Sequence, residues 1–409
     1  MSSVQNDARK IFEGLRIIDF SWVGVGPMAA QTFALFGAEV IRVESSKSLD
    51  IFRIGGPLAP GDGPDRSAYW ANINRDKKAM TLDLKHPNAA EVVKRLVSDA
   101  DIVTESFRPG VMWSAGFDYD SLSQENPELI MISMSMEGQG GPHAGFKGFG
   151  LTLQATAGIT GLTGWPDRAP VGTGVAYTDW FSTHLAVTSL IAALEHRDLT
   201  GEGQYIDLSQ LEAMIWGLDD AVLRFTAGEQ VMSADGNRDP NACPHGVFKC
   251  LGDDEWIAIS IFSDSQWLLF RKFLGDPEWS MKTDYLTFEG RKKNEDELDR
   301  LITSWTIEKD PEKLAEDLQG LGVPAYKVAD AKALYADPQL DFREHFWKID
   351  HKVIGPMTWD SPAYKLSGTP AYPEGPAPLL GEHTKFICTE LLGYSEEEFT
   401  ELLISGVLD

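Results

Sequence analysis

The sequence predicts an α/β fold, with a Rossmann-like large domain built on a mostly parallel sheet and a smaller α+β domain. Two observations favour the large domain. Segments with strand alternation and segments with helical apolar spacing follow one another through the first half of the chain, and the strand segments run into glycine-rich or polar loops. A third observation, a shift towards short, highly charged helical segments after residue 246, indicates the smaller domain.

The chain opens with a predicted β-α-β unit of about 30 residues. Residues 15–20 alternate as a strand, residues 21–27 form a glycine-rich turn, residues 28–36 have a helical pattern, and residues 38–44 are a second strand. Amides at the start of such a helix can bind an anion. Ala29 stands where the third glycine of G-x-G-x-x-G would be, so a nicotinamide dehydrogenase is a distant alternative.

The rest of the large domain continues this alternation. Residues 45–71 are predicted as a long loop, an expected place for ligand contacts. After it, the predicted elements are a basic cluster leading into a strand (72–85), a helix (86–98), two strands (101–107 and 129–135), a largely buried helix (181–194), a strand (205–208) and a helix to residue 225. The resulting sheet should be covered on both faces.

The predicted domain division is discontinuous. It consists of the N-terminal part of the large domain (1–225), a polar linker (226–246), the small domain (247–330) and a return segment that completes the large domain (331–409). In the second half of the chain we expect a hairpin at 247–262, a strand at 322–328, a helix at 329–340 and a last helix from Ser395.

Composition excludes several kinds of partner. The 36 Lys and Arg residues against 62 Asp and Glu give a formal net charge of −26, which argues against nucleic acid and anionic membrane surfaces. No apolar stretch reaches the roughly 18 residues that span a bilayer, and residues 1–7 lack signal-peptide features, so we expect a cytoplasmic protein. Cys243, Cys250 and Cys388 lack metal-ligand spacing and are predicted to be reduced thiols; no metal site is expected.

One acidic residue, Asp179, lies where a predicted loop becomes a helix. Gly172 and Gly174 precede it, and the largely apolar residues 181–194 follow it. A carboxylate at a helix start can cap free backbone N–H groups. Held at the mouth of a glycine-lined cleft, it can instead act as a nucleophile or a proton carrier. The local pattern leaves both interpretations open.

Nearly the whole chain resembles the class III CoA-transferases, the family that includes formyl-CoA transferase, carnitine CoA-transferases and the alpha-methylacyl-CoA racemases. The similar segments follow the family's order: Leu-Arg-Ile-Ile-Asp-Phe at 15–20 with Gly26-Pro27, then 37–44, 77–85, 100–107, the Asp179 loop, 201–207, 244–246, 322–324 and 380–384. The resemblance implies a large domain made from both ends of the chain, a small domain between them, and two chains interlocked as a homodimer or as a heterodimer with a homologous subunit.

The resemblance also implies a reaction and a site. Asp179 would be the catalytic nucleophile that attacks an acyl-CoA thioester, with an acyl-CoA donor and a carboxylic acid acceptor as partners and no prosthetic group beyond coenzyme A as substrate. Coenzyme A is expected at Trp22, Val23, Gly24, Val25, Arg75, Lys77, Lys78, Ser106, Phe107, Arg108 and Lys147, with Arg75, Lys77, Lys78 and Arg108 on its phosphates. The acyl group and acceptor are expected at Gly138, Gln139, Phe149, Gln154, Trp180 and His245.

Departures from the family pattern narrow the prediction. Phe149 stands where the racemase branch has a histidine, and phenylalanine carries no proton. Trp22, Gly24 and Ser45 replace residues of formyl-CoA transferase, which argues against a formyl substrate. Aromatic residues in or beside the expected cleft indicate a pocket for an aryl or bulky acyl group; they are Trp22, Phe149, Trp165 and Trp180. A dicarboxylate acceptor, an acyl-CoA racemase or isomerase, and a catalytically silent subunit of a heteromeric transferase remain alternatives.

Overall fold

A computed structural model describes residues 10–409. The predictions for the first nine residues, a polar lead-in without signal-peptide features, lie outside the described residues. The described chain divides into two compact units. The large unit contains the described residues up to Gly161, Val171–Met232 and Asp341–Asp409, and the small unit contains Leu162–Pro170 and Ser233–Leu340.

Six parallel strands form the central sheet of the large unit. They are β1 (Arg16–Asp19), β2 (Glu39–Glu44), β3 (Lys78–Thr81), β4 (Ile102–Glu105), β5 (Ile130–Ser135) and β6 (Tyr205–Ser209). Their order across the sheet is β3-β2-β1-β4-β5-β6. This is the strand order of a Rossmann fold, so the predicted fold class is confirmed. The order reverses between β1 and β4, which is where sheets of this kind bind ligands.

Helices connect these strands and cover the sheet. Between residues 25 and 228 they are α1 (Val25–Leu35), α2 (Ile51–Ile54), α3 (Ala68–Asn72), α4 (Ala89–Ser98), α5 (Val111–Ala115), α6 (Tyr119–Leu122), α7 (Gly150–Thr156), α8 (Ile159–Leu162), α9 (Tyr177–Thr200), α10 (Gln210–Trp216) and α11 (Asp219–Gly228). Among residues 10–409, no helix combines the length and the apolar character needed to cross a bilayer.

The sheet is buried on both faces because successive side chains of a strand point to opposite sides. Ile17 and Ile102 belong to a core cluster shared with α1 and α9. Ile18 and Val103, one position further along, belong to a second cluster on the other face, shared with α4 and the C-terminal residues 387–408. The strand segments are therefore apolar almost throughout, as parallel strands covered on both faces must be.

The small unit is built on an antiparallel sheet in the order β7-β8-β9. Its elements are β7 (His245–Lys249), β8 (Trp256–Ser260), α12 (Asp264–Phe273), two short 3-10 helices (Glu278–Met281 and Thr283–Tyr285), α13 (Phe288–Lys293), α14 (Glu295–Thr306), α15 (Pro311–Gly320), β9 (Ala325–Lys327) and α16 (Ala331–Ala336). Ile257 and Ile259 point from β8 into its own core, where they meet Trp267 and Leu298. The hairpin predicted at 247–262 is confirmed.

The return segment brings the chain back to the large unit. After α17 (Pro338–Phe342) it contains an antiparallel hairpin of β10 (Phe346–His351) and β11 (Gly355–Asp360), then α18 (Thr384–Phe386), a π-helix (Ile387–Leu391) and α19 (Glu396–Ser405). The sequence did not indicate this hairpin. Val407 and Leu408 are buried in the core, and the Asp409 carboxylate accepts a hydrogen bond of 2.6 Å from the Ser45 hydroxyl.

Some element boundaries differ from the prediction. Helix α1 begins at Val25 rather than at residue 28, because a proline within the first helical turn needs no hydrogen bond from its nitrogen. Helix α9 runs on to Thr200 and ends at Gly201, which has a φ of 75°. The helix expected at 329–340 is divided between α16 and α17, because Asp337 is extended before Pro338.

Candidate active site

A large cavity opens where the strand order reverses. Its volume is about 1170 Å³. Trp22–Val25, which follow β1, form one wall, and Ser106–Arg108, which follow β4, form another. The Ser106 hydroxyl joins these two loops, because it accepts a hydrogen bond from the Trp22 N–H (2.9 Å) and donates one to the Trp22 carbonyl (3.0 Å). The fold therefore places the cavity where a Rossmann sheet binds its ligand.

Asp179 lies in this cavity wall, in the first turn of α9. The interpretation of Asp179 as an N-cap is wrong, because Ala176 occupies the cap position and Asp179 lies inside the first turn of the helix. The Asp179 carboxylate is half-buried, and burial raises its pKa to about 6. No described lysine, arginine or histidine offsets this shift. The carboxylate is therefore poorly solvated and unpaired, which suits a nucleophile.

Gly24 lies directly against the Asp179 carboxylate. A methyl group built on Gly24 would lie 2.9 Å from both Cγ and Oδ2 of Asp179, so only a glycine leaves room for the carboxylate. Gly24 is also the N-cap residue of α1, and no described side chain caps that helix. The Thr183 hydroxyl contacts the carbonyls of both Val25 and Asp179, at 3.2 and 2.8 Å, and so ties the two helix starts together. The start of α1 therefore lies beside the Asp179 carboxylate.

Seven of the residues expected to bind coenzyme A line this cavity. They are Trp22, Val23, Gly24, Val25, Ser106, Phe107 and Arg108. Trp22 and Phe107 pack edge to face, with ring centroids 5.8 Å apart. Arg108 is exposed. Lys147 is exposed too, next to the lining residue Gly148.

Arg75, Lys77 and Lys78, which were expected on the CoA phosphates, do not line the cavity. The Lys77 ammonium group is enclosed and donates to Asp19 Oδ2 (2.8 Å), to the Pro27 carbonyl (2.9 Å) and to Asn74 Oδ1 (2.9 Å).

The other two residues of the cluster are also engaged elsewhere. Arg75 is buried and donates to the carbonyls of Asn72 and Asp360, and Lys78 pairs with Glu39. These cations hold the fold together, and a phosphate could reach Lys77 only by breaking its buried contacts.

Other cations line the cavity instead. Lys47, Lys85 and His86 lie along the ends of β2 and β3. Lys85 is exposed, whereas Lys47 already pairs with Asp83 at 3.0 Å. Lys85 is the last residue of the basic segment 72–85, so one cation of the segment does face the cavity. The sequence could not show which lysine of the cluster faces the cavity.

The residues expected to bind the acyl group are divided. Phe149 lines the cavity and is exposed. Gln154, in contrast, is buried, and its amide bonds to the Val175 carbonyl and to the Thr173 hydroxyl. Both ends of its amide therefore hold the loop that precedes Asp179, and its predicted contact with substrate stays a prediction.

The remaining candidates for the acyl group do not line the cavity. Gly138 and Gln139 lie in the loop after β5, and the Gln139 N–H donates a hydrogen bond to the Asp207 carboxylate. Trp180 is exposed beside Asp179 on α9. His245 begins β7 of the small unit. Substrate contacts at these four positions stay predictions.

Comparison with known proteins shows the family of this chain. The model of CoA-transferase family III matches residues 12–384. The chain belongs to CoA-transferase family III. The family resemblance predicted from the sequence is confirmed, and the chain is an enzyme of the CoA-transferase class.

Relatives with named activities agree with this assignment. The chain is 31% identical to the succinyl-CoA:D-citramalate CoA-transferase of Chloroflexus aurantiacus, over 97% of this chain and 98% of that protein. It is 29% identical to human succinyl-CoA:glutarate CoA-transferase, over 99% and 92%. A crystal structure of a CaiB/BaiF family protein from Brucella suis superimposes with a TM-score of 0.86 at 31% identity, over 94% of this chain and all of that one. Transfer of CoA between carboxylic acids is the activity that the relatives share.

Replacing Gly24 by alanine should separate this transferase's activity from its folding. The added methyl group would push the Asp179 carboxylate aside, and a displacement of about 1 Å can lower a rate by about 100-fold. We expect kcat/KM for CoA transfer to fall by roughly that factor, with a small change in Tm. Gly368→Ala is the control, because a methyl group there meets nothing within 4 Å. Unchanged activity of Gly24→Ala would show that the carboxylate does not need this position.

Proposed function

We propose that this transferase moves CoA reversibly between two carboxylic acids through covalent intermediates on Asp179. An Asp179 oxygen attacks the thioester carbonyl carbon of the donor, the C–S bond breaks, and the electron pair leaves with the CoA thiolate. The product on the enzyme is a mixed anhydride. The thiolate attacks the Asp179 carbonyl carbon, which releases the donor acid and leaves an aspartyl-CoA thioester. The acceptor carboxylate then attacks the carbonyl carbon of the aspartyl-CoA thioester, which forms a new mixed anhydride and releases the CoA thiolate. The thiolate attacks the acceptor's carbonyl carbon in this anhydride, so the acceptor departs as the new thioester and the Asp179 carboxylate is regenerated.

The contact between Gly24 and the Asp179 carboxylate carries this proposal. Each attack places negative charge on a carbonyl oxygen beside Asp179, and preorganised backbone N–H groups are the usual means of stabilising it. The uncapped start of α1 offers such groups next to the nucleophile. Because the carboxylate is half-buried and without a charged partner, it reacts without first shedding an ion pair.

The cavity lining supports an apolar or aryl acyl group over a dicarboxylate. Apolar side chains of the cavity lining include Trp22, Met134, Met136, Phe149 and Leu153, and the pKa of Asp179 reflects burial with no described cation beside it. The second carboxylate of a succinyl group would need such a cation. In this respect the site differs from what the names of the relatives suggest, since those proteins are named for succinyl-CoA.

A racemase needs an acid–base pair across the substrate's α carbon. Phe149 cannot carry a proton, and within residues 10–409 His86 is the single histidine that lines the cavity. Retention of Asp179 beside Gly24 likewise argues against a catalytically silent subunit. Proton exchange at the α carbon in heavy water, without transfer of CoA, would favour the racemase over our proposal.

We also propose that a second chain covers α9, α10 and α11, as a homodimer or with a homologous subunit. No residue of α11 is buried, and large apolar side chains are exposed along the three helices, among them Ile191, Leu199, Trp216, Leu223 and Phe225. An apolar surface of this kind is typical of a protein interface. One relative is itself the beta subunit of a succinyl-CoA:L-malate CoA-transferase.

Trapping the covalent intermediate tests the proposed function. The protein is incubated without acceptor, once with an aryl-substituted acyl-CoA and once with succinyl-CoA, and is then treated with hydroxylamine. We expect a donor-dependent mass change on the peptide that contains Asp179, formed faster from the aryl donor. A label on another carboxylate, or none while transfer is fast, would overturn the mechanism. Faster labelling by succinyl-CoA would overturn the acyl preference alone.

A further inference from the structure

A buried group of charged side chains, which we call the charge network, lies under the turn at residues 21–27. Its members are Asp19, Arg42, Glu44, Asp50, Arg53 and Lys77, each at most 4% exposed. Three are acids and three are bases, so the formal charges balance. A balanced, hydrogen-bonded group of this kind holds its geometry rigidly, because removal of any member leaves an unpaired buried charge.

Asp50 connects this network to the turn. Its Oδ2 accepts hydrogen bonds from the Val23 N–H and from Arg42 Nη2, both at 3.0 Å. Its Oδ1 accepts from the Phe52 N–H at 2.9 Å. Arg42 in turn reaches Asp19 at 3.4 Å, so the carboxylate of Asp50 is held from behind by the network.

Val23 needs this support because of its backbone conformation. Its φ is 67°, a left-handed value that a β-branched residue rarely adopts. The bend at Val23 directs the next residue, Gly24, against the Asp179 carboxylate. Without an acceptor for its N–H, Val23 would gain by returning to an ordinary negative φ, and Gly24 would move away from Asp179.

We propose that Asp50 is a positioning residue for the reaction, acting through Val23 and Gly24 on the nucleophile. This rests on the function proposed above. Asp50 does not line the cavity, so it contributes no contact to the substrate. Its effect is to fix the start of α1 where negative charge develops.

Asp50→Asn tests this role, because the amide has a single acceptor oxygen and cannot accept both from the Val23 N–H and Arg42 on one side and from the Phe52 N–H on the other. We expect the rate of adduct formation on Asp179 at saturating donor to fall by about 10- to 100-fold, as for other supporting hydrogen-bond partners, with little change in KM. Asp65→Asn is the matched control. It removes a charge paired with Arg53 at 2.6 Å and makes no contact with the turn, so its adduct rate should stay within about twofold of wild type at a comparable loss of Tm.

Val23→Pro covers the case in which Asp50→Asn does not fold. Proline has no N–H and fixes φ near −65°, so it removes the bend while leaving every buried charge in place. We expect the same loss of adduct rate with the fold intact. A wild-type adduct rate in either folded variant would overturn the positioning role. Equal losses in Asp50→Asn and Asp65→Asn would overturn it too. If the wild-type protein itself forms no adduct, the proposed function fails, which is a different result.

Discussion

Asp179→Ala should abolish CoA transfer and leave the fold intact. The variant lacks the group that holds the acyl moiety and then CoA between half-reactions, so we expect kcat to fall by more than about 1,000-fold. Its Tm should not fall, because the Asp179 carboxylate has no described charged partner and its burial disfavours the ionised form. The measurements are CoA transfer in steady state and calorimetric Tm. Residual transfer above a small fraction of wild type would show that another residue is the nucleophile.

The same carboxylate should set the acid limit of the wild-type enzyme. Only ionised Asp179 attacks the thioester, and burial raises its pKa to about 6. As pH falls through that value the reactive fraction is lost, so kcat/KM at pH 5 should be roughly tenfold below its plateau above pH 7. A plateau extending down to pH 5 would mean that the reactive carboxylate is not this buried one. The racemase mechanism would instead require a second proton carrier and a limit on the alkaline side.

Lys77→Ala should lower the stability of the large unit and should not weaken coenzyme A binding. The change leaves Asp19 in the core with Arg42 as its remaining cationic partner at 3.4 Å. Burial alone would raise the pKa of Asp19, but the charges of Lys77 and Arg42 outweigh it and hold that pKa at about 2. Breaking a buried pair costs about 3–5 kcal/mol, and we expect Tm in calorimetry to fall by about 10 °C.

Lys78→Ala is the matched control for that change. Lys78 is the next residue, and its pair with Glu39 is partly exposed. Exposed pairs contribute at most about 1 kcal/mol, so its Tm should remain within a few degrees of wild type. If Lys77→Ala raised KM for the acyl-CoA donor at unchanged Tm, that result would instead support a contact between Lys77 and the CoA phosphates.

Most of the strands and helices of the large unit could be predicted from the sequence. The strands around Ile17, Val40 and Ile130 were recognisable because both faces of a parallel sheet are buried, which leaves long apolar segments. Their order across the sheet is a property of tertiary pairing and was not predicted from the sequence. The hairpin at Phe346–Asp360 escaped prediction because its side chains are half-exposed and its pattern is weak.

The parts of the site that depend on the backbone of a motif could be predicted from the sequence. The parts that depend on the direction of a single side chain were harder to predict. Gly24 and Asp179 lie in glycine-rich segments beside a strand or helix, and the family resemblance implied their roles. Lys77 and Lys85 belong to one basic segment, yet one is enclosed in the core and the other faces the cavity. The sequence shows that these residues are charged, but it does not show which way each side chain points. Asp50 gave no signal, because one acid in a long loop resembles an ordinary turn residue.

The discontinuous large unit affects how the chain can fold during synthesis. Val407 and Leu408 complete a core cluster whose other members include Ile18, and the Asp83 N–H bonds to the Val407 carbonyl. On the ribosome, the part of this sheet face that residues 387–408 cover therefore stays exposed until those residues have left the exit tunnel. By then the small unit, which is nearly continuous in sequence, has already been synthesised. A nascent chain of this enzyme must keep that apolar surface from aggregating while the segment from residue 341 to residue 408 is made.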